Sequence, residues 1–466
     1  MRRSPQKQPR ARSGYPPLRY DAYVGIATGS LVALIFRILG ALLWAIVGIL
    51  TARAFSVEER GVYASIIVFA AAIAGITSLG GAAGYYVSNR KRLVPEVAAN
   101  SLAIALPVAV LFVVAGFVLE LLIEGDVGRF MALSGLLILP SIVRNTICGA
   151  ILGAGRLVDY NIATNLPVVL GFFALLTWVV ILGNRTAEAG LAAWAIAQYV
   201  SLIPLVFWGG NWLTWFREHR PDTALIKGVV RFTAVTGMAG IVGLLNYRVD
   251  LLLVISLDTR EGAGIYSSAI SAAEALWLFS SAIAMATFSR VGREHRDEAV
   301  RLTTTGVRHS LLIVVPAAIA AALIGPLLIE LVFGSKYADA ATPLRILCIG
   351  TAVFASQSLL NNYYTNQLGR PGIPLVLGLI ALLISVVGSV LLIPTFGIAG
   401  AAWATTASYA VTGLVSFAIF LWLSKAHHSD LWRIRASDIR SYFHLAGDIL
   451  RRLGIHTRWN PVRAEG

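Results

Sequence analysis

Twelve long apolar stretches constrain this sequence more than any other feature does. The hydrocarbon core of a bilayer is about 30 Å thick, and a helix needs roughly 20 apolar residues to cross it. Only 13% of the residues are charged, against about 25% in soluble globular proteins. These stretches are therefore predicted to be transmembrane helices of an all-α polytopic membrane protein. Their approximate limits are 23–52, 61–88, 98–123, 130–154, 160–183, 188–215, 229–256, 262–289, 304–333, 342–368, 373–395 and 397–424.

Basic residues are concentrated in alternate connections between these stretches. If the N-terminus is inside, the inside connections hold most of the Lys and Arg, including Arg90-Lys91-Arg92 and the residues 217–231 and 290–308. Cytoplasmic loops retain basic residues, so both termini are predicted to be cytoplasmic. Arginine far outnumbers lysine, which indicates a GC-rich bacterial genome, and the predicted location is the bacterial inner membrane. The net charge of +14 then reflects topology. Nucleic acid is not a predicted partner, because the aromatic residues lie within apolar stretches and not between basic residues.

Four short segments recur in the same order in the two halves of the chain, which indicates an internal duplication. The paired segments are 59–65 with 261–268, 120–125 with 330–334, 152–156 with 367–370, and 189–195 with 399–404. Each half has six predicted helices, an even number, so the repeat is parallel about an axis along the membrane normal. Such an arrangement suits a central cavity and alternating access.

The predicted organisation follows from this repeat and has five parts. It comprises a disordered basic cytoplasmic tail (1–22), an N-terminal six-helix bundle (23–216), a cytoplasmic linker (217–228), a C-terminal six-helix bundle (229–424) and a cytoplasmic tail (425–466). The last tail has the spacing of an amphipathic helix on anionic headgroups, and a plain solvated helix remains open. Connections between the helices are too short for an extramembrane catalytic domain.

Several segments in the second half resemble a known family. They are Asn246-Tyr247-Arg248-Val249-Asp250, Gly264-Ile265-Tyr266-Ser267, and 331–337 running into 340–347. Their order and spacing resemble the polysaccharide-export and oligosaccharide (Wzx-like) flippases of the multidrug/oligosaccharidyl-lipid/polysaccharide (MOP) exporter superfamily. The resemblance covers about residues 20–424. It implies two MATE-like bundles around a V-shaped cavity and translocation of a lipid-linked oligosaccharide, the repeat unit of a polysaccharide.

Three arginines lie away from the ends of predicted membrane helices: Arg37 and Arg144 lie deep in the first and fourth, and Arg248 lies in the outer part of the seventh. A charge at mid-bilayer costs at least about 2.5 kcal/mol and usually faces a bundle interior or a wet cavity. A polyprenyl pyrophosphate headgroup is multiply anionic, and a guanidinium can bind phosphate oxygens bidentately. These arginines are therefore candidate substrate-binding residues. The alternative is that each pairs with a carboxylate and holds helices together, for instance Arg248 with Glu274.

Two carboxylates and a set of polar side chains complete the candidate site. Asp250 and Glu274 are candidates for proton or cation coupling, with structural pairing as the alternative. Amide and hydroxyl groups can bind sugars, and aromatic faces can stack on them. The polar candidates for the cavity are Asn246, Asn361, Asn362 and Tyr363. Tyrosine at a helix end is also typical of an interfacial anchor.

A lipid-linked oligosaccharide flippase is the leading functional interpretation. Its predicted partners are a polyprenyl-pyrophosphate-linked oligosaccharide and membrane lipids, and a polysaccharide polymerase or glycosyltransferases are further candidate partners. A cation-coupled antiporter of small molecules on the same scaffold is the alternative. A membrane glycosyltransferase or ligase is disfavoured because no outer loop is long enough to carry acid and base residues. No enzyme activity, cofactor or metal is predicted; Cys148 and Cys348 are interpreted as buried hydrophobes.

Overall fold

The computed structural model describes residues 26–123, 126–208, 212–432 and 438. In this part of the chain the regular structure is entirely helical. Eleven helical segments are long and apolar enough to cross a membrane. The longest, Gly372–Ser424, has 53 residues, far more than one span requires. Gly397 interrupts it with φ 55° and ψ −137°, so this segment counts as two spans and the described chain has the twelve predicted ones.

We number the spans α1 to α12 and give their helical segments. The first six spans are α1 (Ile26–Ala54), α2 (Val57–Thr77 and Gly80–Ser88), α3 (Val94–Leu122), α4 (Asp126–Gly153), α5 (Leu157–Leu175, extended by a π-helix Leu176–Ile181) and α6 (Ala187–Val200 and Ile203–Trp208). The second six are α7 (Thr223–Asn246 and Val249–Leu257), α8 (Arg260–Glu274 and Trp277–Arg293), α9 (Arg296–Phe333), α10 (Ala341–Phe354, Gln357–Asn362 and a π-helix Tyr363–Gln367), and α11 and α12, the parts of Gly372–Ser424 before and after Gly397. Short helices occur at Trp212–Glu218, Ser335–Ala340 and Ser429–Trp432.

Close helix packing in the first half depends on small residues. An ideal Cβ on Gly149 of α4 would lie 2.0 Å from the backbone oxygen of Gly80 in α2. Only glycine permits the two backbones to approach this closely. The contact between Gly80 and Gly149 therefore fixes the close packing of α2 against α4.

Three buried clusters of hydrophobic side chains form the core. The first combines residues from α1 to α6 with Leu225, Val229 and Phe232 of α7, while the other two lie wholly between Val254 and Leu431. The ring of Phe232 stacks on Tyr85 of α2 with a centroid distance of 4.9 Å. The first turns of α7 therefore pack against the N-terminal half, although the sequence predicts that α7 begins the C-terminal bundle.

A segment after α12 is attached to α9 by a buried ion pair. Arg308 donates from Nε to Oδ2 of Asp438 at 2.8 Å and from a terminal nitrogen to Oδ1 at 3.2 Å. Arg308 also donates to the backbone oxygen of Asp430 at 2.7 Å. The predicted N-terminal tail lies outside the described residues, as does the predicted C-terminal tail except for 425–432 and 438.

Candidate functional site

A cavity of about 510 Å³ lies between the two halves, and we call it the central cavity. Its walls come from α2, α7, α10, α11 and α12. All its lining residues are described, and none of them carries a charge. The polar and aromatic members are Asn246, Tyr247, Phe354, Gln357, Asn361, Tyr409 and Thr412.

A break in α7 shapes one wall of this cavity. The helix stops at Asn246 and resumes at Val249. Asn246 donates from Nδ2 to the backbone oxygens of Val242 at 3.0 Å and Gly378 at 2.9 Å, which ties α7 to α11. Irregular backbone is tolerated at membrane depth where it is buried in protein or lines a cavity. Asn246 was predicted as a cavity residue, and it lines the central cavity.

A smaller pocket adjoins the central cavity inside the C-terminal half. It is lined by Asp250, Glu274 and Trp277, and it shares Asn246, Tyr247 and Tyr409 with the cavity. We call it the acidic pocket because both predicted coupling carboxylates lie in it.

Asp250 is the most deeply buried carboxylate of this pocket, with 3% of its surface exposed. It accepts hydrogen bonds from the hydroxyl of Tyr266 at 3.0 Å, the hydroxyl of Thr405 at 3.1 Å and the backbone N–H of Leu251 at 2.8 Å. No basic nitrogen of the described residues lies within 4.0 Å of it. Hydrogen bonds alone therefore stabilise this group among the described residues.

Tyr266 and Thr405 are site residues that the sequence did not predict. The repeat pairs Tyr63 with Tyr266, and the two differ in what they bind. Both are buried, but the hydroxyl of Tyr63 has no hydrogen-bond partner among the described residues, whereas that of Tyr266 donates to Asp250. The sequence holds one sign of this difference between the halves. At the offset that pairs Tyr63 with Tyr266, Asp250 pairs with Val47, so the first half lacks a carboxylate at this position.

The three arginines lie outside the lining of the central cavity. Arg144 is buried and donates to Oε1 of Gln198 and, at 3.5 Å, to the hydroxyl of Ser141. Arg37 is half-buried, and its Nε has no acceptor among the described residues. Arg248 is exposed at the break in α7.

None of these arginines forms an ion pair within the described part of the chain. Arg248 and Glu274, the alternative pair, have no N–O contact within 4.0 Å, and the positive charge of Arg248 acts on Glu274 from a longer distance. Unpaired guanidinium groups at membrane depth remain able to bind an anion.

The polar residues of α10 separate into two groups. Asn361 lines the central cavity and accepts from Nε2 of Gln357 at 3.0 Å. Asn362 is buried and donates to the backbone oxygen of Ala284 at 3.3 Å. Tyr363 is fully buried and packs edge-on against Phe420 with a centroid distance of 5.0 Å. Of the three predicted residues, the structure thus brings only Asn361 to the cavity.

The two halves touch at the end of the molecule that carries Arg90 and Arg293, which we call the basic side. The hydroxyl of Ser88 bonds to Oδ1 of Asn366 at 2.7 Å. Asn89 donates from Nδ2 to the backbone oxygens of Gly292 at 3.2 Å and Gln367 at 3.0 Å. We call these five residues, Ser88, Asn89, Gly292, Asn366 and Gln367, the basic-side seam; the sequence had singled out none of its contacts.

Comparison with known proteins gives one family and distant curated relatives. The family model for polysaccharide biosynthesis proteins matches residues 49–342. The chain is 23% identical over 291 residues to the probable low-salt glycan biosynthesis flippase Agl15 of Haloferax volcanii, covering 62% of this chain and 59% of that protein. It is 37% identical over 101 residues to an uncharacterized membrane protein of Methanocaldococcus jannaschii, covering 22% of this chain and 20% of that protein. The chain thus spans less than two thirds of the length of either relative.

Solved structures with the same fold are transporters. One is an outward-facing multidrug resistance MATE family transporter of the MOP superfamily, with a TM-score of 0.73 at 14% identity over 86% of this chain and 96% of that one. Another is a MOP superfamily transporter from Pyrococcus furiosus, described as having a binding pocket of reverse polarity, with a TM-score of 0.73 at 15% identity and the same coverage. These likenesses confirm the predicted fold class.

Proposed function

This chain belongs to the polysaccharide biosynthesis protein family, and from that membership we propose that it is a flippase for a lipid-linked oligosaccharide. The predicted resemblance to the flippases of the MOP superfamily is confirmed. The curated relative with the longer match is named as a probable flippase of glycan biosynthesis. The finer statement, that the cargo is a polyprenyl-pyrophosphate-linked repeat unit, is part of the proposal.

The observation that carries the proposal is a cavity between halves that are held together at one end. The central cavity lies between α2 and the helices of the second half, while the basic-side seam joins α2 to α8 and α10. A cavity closed on one side is one of the two states that alternating access requires. We propose that the seam opens when the two six-helix bundles rearrange, so that the cavity then faces the basic side.

The proposed orientation places the basic side in the cytoplasm. Cytoplasmic loops of membrane proteins retain Lys and Arg, and Arg90, Arg92, Arg293 and Arg370 belong to this side. Both tails then lie on the cytoplasmic side of the cell membrane. Cytoplasmic glycosyltransferases would supply the cargo, and an external polymerase would use it.

The three arginines are proposed to bind the pyrophosphate. Support comes from Arg37, Arg144 and Arg248 having no carboxylate partner among the described residues. In the state described here they stand outside the lining of the central cavity. We propose that they contact the headgroup after the bundles rearrange.

The acidic pocket is proposed to couple transport to an ion gradient. Asp250 and Glu274 line one pocket, and neither forms an ion pair within 4.0 Å among the described residues. A carboxylate that lacks a fixed cation can take up a proton or a metal cation instead. No covalent step is part of the proposed mechanism.

One observation favours a second candidate, a cation-coupled antiporter of small amphipathic molecules. The central cavity carries no charge and adjoins two carboxylates, a setting that suits an amphipathic cation. The half-buried Arg37 and the buried Arg144 in the N-terminal half argue for an anionic cargo.

Reconstitution distinguishes the two functions. The purified protein is placed in vesicles with a fluorescent polyprenyl-pyrophosphate-linked oligosaccharide, and an impermeant reductant bleaches the outer leaflet. A flippase makes inner-leaflet lipid accessible, so bleaching exceeds that of protein-free vesicles. Bleaching equal to that of protein-free vesicles contradicts the proposal, and gradient-driven uptake of a fluorescent lipophilic cation supports the antiporter.

A further inference from the structure

Four aromatic side chains meet where the central cavity joins the acidic pocket. The rings of Phe354 and Tyr409 stack, with centroids 4.6 Å apart and planes at 20°. Trp277 lies 5.9 Å from Tyr409, and Tyr247 lies 5.2 Å from Trp277, both as centroid distances. We call Tyr247, Trp277, Phe354 and Tyr409 the aromatic wall. Tyr247, Phe354 and Tyr409 line the cavity itself, and 40% of the Tyr247 surface is exposed.

Three amide side chains line the same cavity: Asn246, Gln357 and Asn361. Their known hydrogen bonds use Nδ2 of Asn246, Nε2 of Gln357 and Oδ1 of Asn361. The remaining amide atoms have no partner among the described residues and are not among the fully buried polar atoms. The cavity therefore presents two oxygen acceptors and one NH₂ donor beside the aromatic wall.

The charged side chains that line the cavity and the adjoining pocket all have one sign. Arg248, whose positive charge acts on Glu274, lies outside both linings. The cavity lining is uncharged, and the adjoining pocket holds the carboxylates of Asp250 and Glu274. Two like charges at the low effective dielectric of a protein interior repel each other strongly. An anionic group in this cavity would face both carboxylates without a basic side chain in the lining to offset them.

We propose that the aromatic wall and the three amides form a subsite for an uncharged sugar ring of the translocated glycan, and that the acidic pocket disfavours acidic sugars there. This inference rests on the proposed flippase function and adds the chemical class of the sugar. Aromatic faces cover the apolar C–H face of a sugar, and amides bind its hydroxyls. A volume near 510 Å³ is within the range of about 300–1,000 Å³ found for small-molecule sites.

The test measures binding to the purified full chain in lipid nanodiscs by native mass spectrometry. Two probes are short polyprenyl-pyrophosphate-linked trisaccharides that differ at one position, glucose or glucuronate. Two more are the polyprenyl pyrophosphate without sugar and the free glucose-containing trisaccharide. We expect the glucose-linked lipid to bind about tenfold more tightly than the glucuronate-linked one, a difference of about 1.4 kcal/mol.

Single substitutions assign the preference to the subsite. Tyr247→Ala and Phe354→Ala are each expected to weaken the glucose-linked lipid about two- to tenfold, as an aromatic contact of about 0.5–1.5 kcal/mol implies, and to leave the sugar-free lipid unchanged. The matched control is Phe173→Ala on the exposed surface of α5, which is expected to change nothing. Glu274→Gln is expected to reduce the discrimination against glucuronate.

The outcomes distinguish a failure of the sugar subsite from a failure of the proposed flippase function. Equal binding of the two trisaccharide lipids, or equal losses for the sugar-linked and sugar-free lipids in Tyr247→Ala, overturns the sugar subsite and leaves the flippase proposal standing. Binding of the free trisaccharide that depends on Tyr247, without binding of any lipid-linked probe, supports the subsite and overturns the proposed cargo. Binding of none of the four probes overturns both.

Discussion

Asp250 is a buried carboxylate held by three hydrogen-bond donors and by no described basic group. Asp250→Asn removes the charge. Its one amide oxygen can keep the bonds from Tyr266 and Thr405, which both end on Oδ2, and its NH₂ then faces the backbone N–H of Leu251, which donates to Oδ1. We expect the dependence of transport on the proton or sodium gradient to flatten. The free energy of unfolding is expected to change by at most about 3 kcal/mol, the cost of one unsatisfied buried polar group. Transport in vesicles with and without each gradient measures this.

The matched control for that variant is Asp258→Asn, at an exposed aspartate. It is expected to keep the wild-type gradient dependence. An unchanged dependence in Asp250→Asn, and in Glu274→Gln as well, would remove the acidic pocket from coupling.

Arg144 allows a structural role to be separated from a role in binding. Removing one partner of a buried ion pair costs about 3–5 kcal/mol, but Arg144 bonds only to neutral groups, Gln198 and Ser141, in the described structure. Arg144→Met is therefore expected to keep the melting temperature and to lose at least about tenfold of glycan export, about 1.4 kcal/mol of binding. A large fall in melting temperature with export retained per folded molecule would show that Arg144 is structural.

Arg248 is exposed at the break in α7, where a substitution is easily accommodated. Arg248→Ala is expected to abolish surface glycan while membrane abundance stays at the wild-type level, because the cargo loses a cationic contact. The control is Arg53→Ala, an exposed arginine near the end of α1. Full export in Arg248→Ala would exclude this residue from the cargo site.

At the scale of residues, the sequence was enough to predict the charged members of the site, but not the uncharged side chains around them. Asp250 and Glu274 were predicted together because charges in apolar stretches stand out, and they do share one pocket. Tyr409 and Phe354 were missed because aromatic residues are common in membrane helices and only their approach to each other, 4.6 Å between centroids, distinguishes them. Such an approach depends on the packing of α10 against α12, which periodicity does not encode.

At the scale of helices, the basic-side seam predicts a cross-link. Ser88→Cys with Asn366→Cys, in a chain whose native Cys148 and Cys348 are replaced by alanine, places two thiols where the polar atoms are 2.7 Å apart. Oxidation is expected to trap the closed seam and to stop transport, and reduction is expected to restore it. Transport that continues in the cross-linked protein would show that the seam need not open.

A second prediction at this scale concerns the ion pair between α9 and the segment after α12. Arg308→Met removes the guanidinium partner of the buried Asp438 and leaves His309 Nε2, 3.6 Å from Oδ1, as a basic nitrogen near this carboxylate. We expect a loss of about 3–5 kcal/mol in the free energy of unfolding. Adding Asp438→Leu is expected to recover most of it, as judged by thermal unfolding; no recovery would mean that other contacts of Arg308 dominate.

Helix boundaries were predicted less completely than helix number. Apolar length gave twelve spans, and Gly397 supplies the turn that lets one continuous segment account for two of them. The breaks in α7 at Tyr247 and Arg248 were not predicted, because this stretch contains neither proline nor glycine. Contacts made elsewhere, such as the bond from Asn246 to Gly378 in α11, hold this irregular backbone.

At the scale of the whole molecule, the proposed orientation predicts which surfaces are reachable from outside the cell. Ser335→Cys and Lys227→Cys are both at exposed positions, and both native cysteines are buried. An impermeant thiol reagent is expected to label Ser335→Cys in intact cells and Lys227→Cys only after permeabilisation. The reverse pattern would invert the proposed topology.

The two hydrogen bonds that Asn89 makes in the basic-side seam use a side chain on one half and backbone atoms on the other. Asn89 of the first half donates its side-chain amide, whereas Gly292 and Gln367 receive it through peptide oxygens. A backbone oxygen is present whatever the side chain is, so substitutions at Gln367 do not remove the acceptor of this hydrogen bond. Loss-of-function alleles of the bond between Asn89 and Gln367 should therefore accumulate at Asn89. Gly292 differs, because a Cβ there would lie 2.5 Å from Oγ of Ser88. A saturation screen should then tolerate changes at Gln367 and reject them at Asn89 and Gly292.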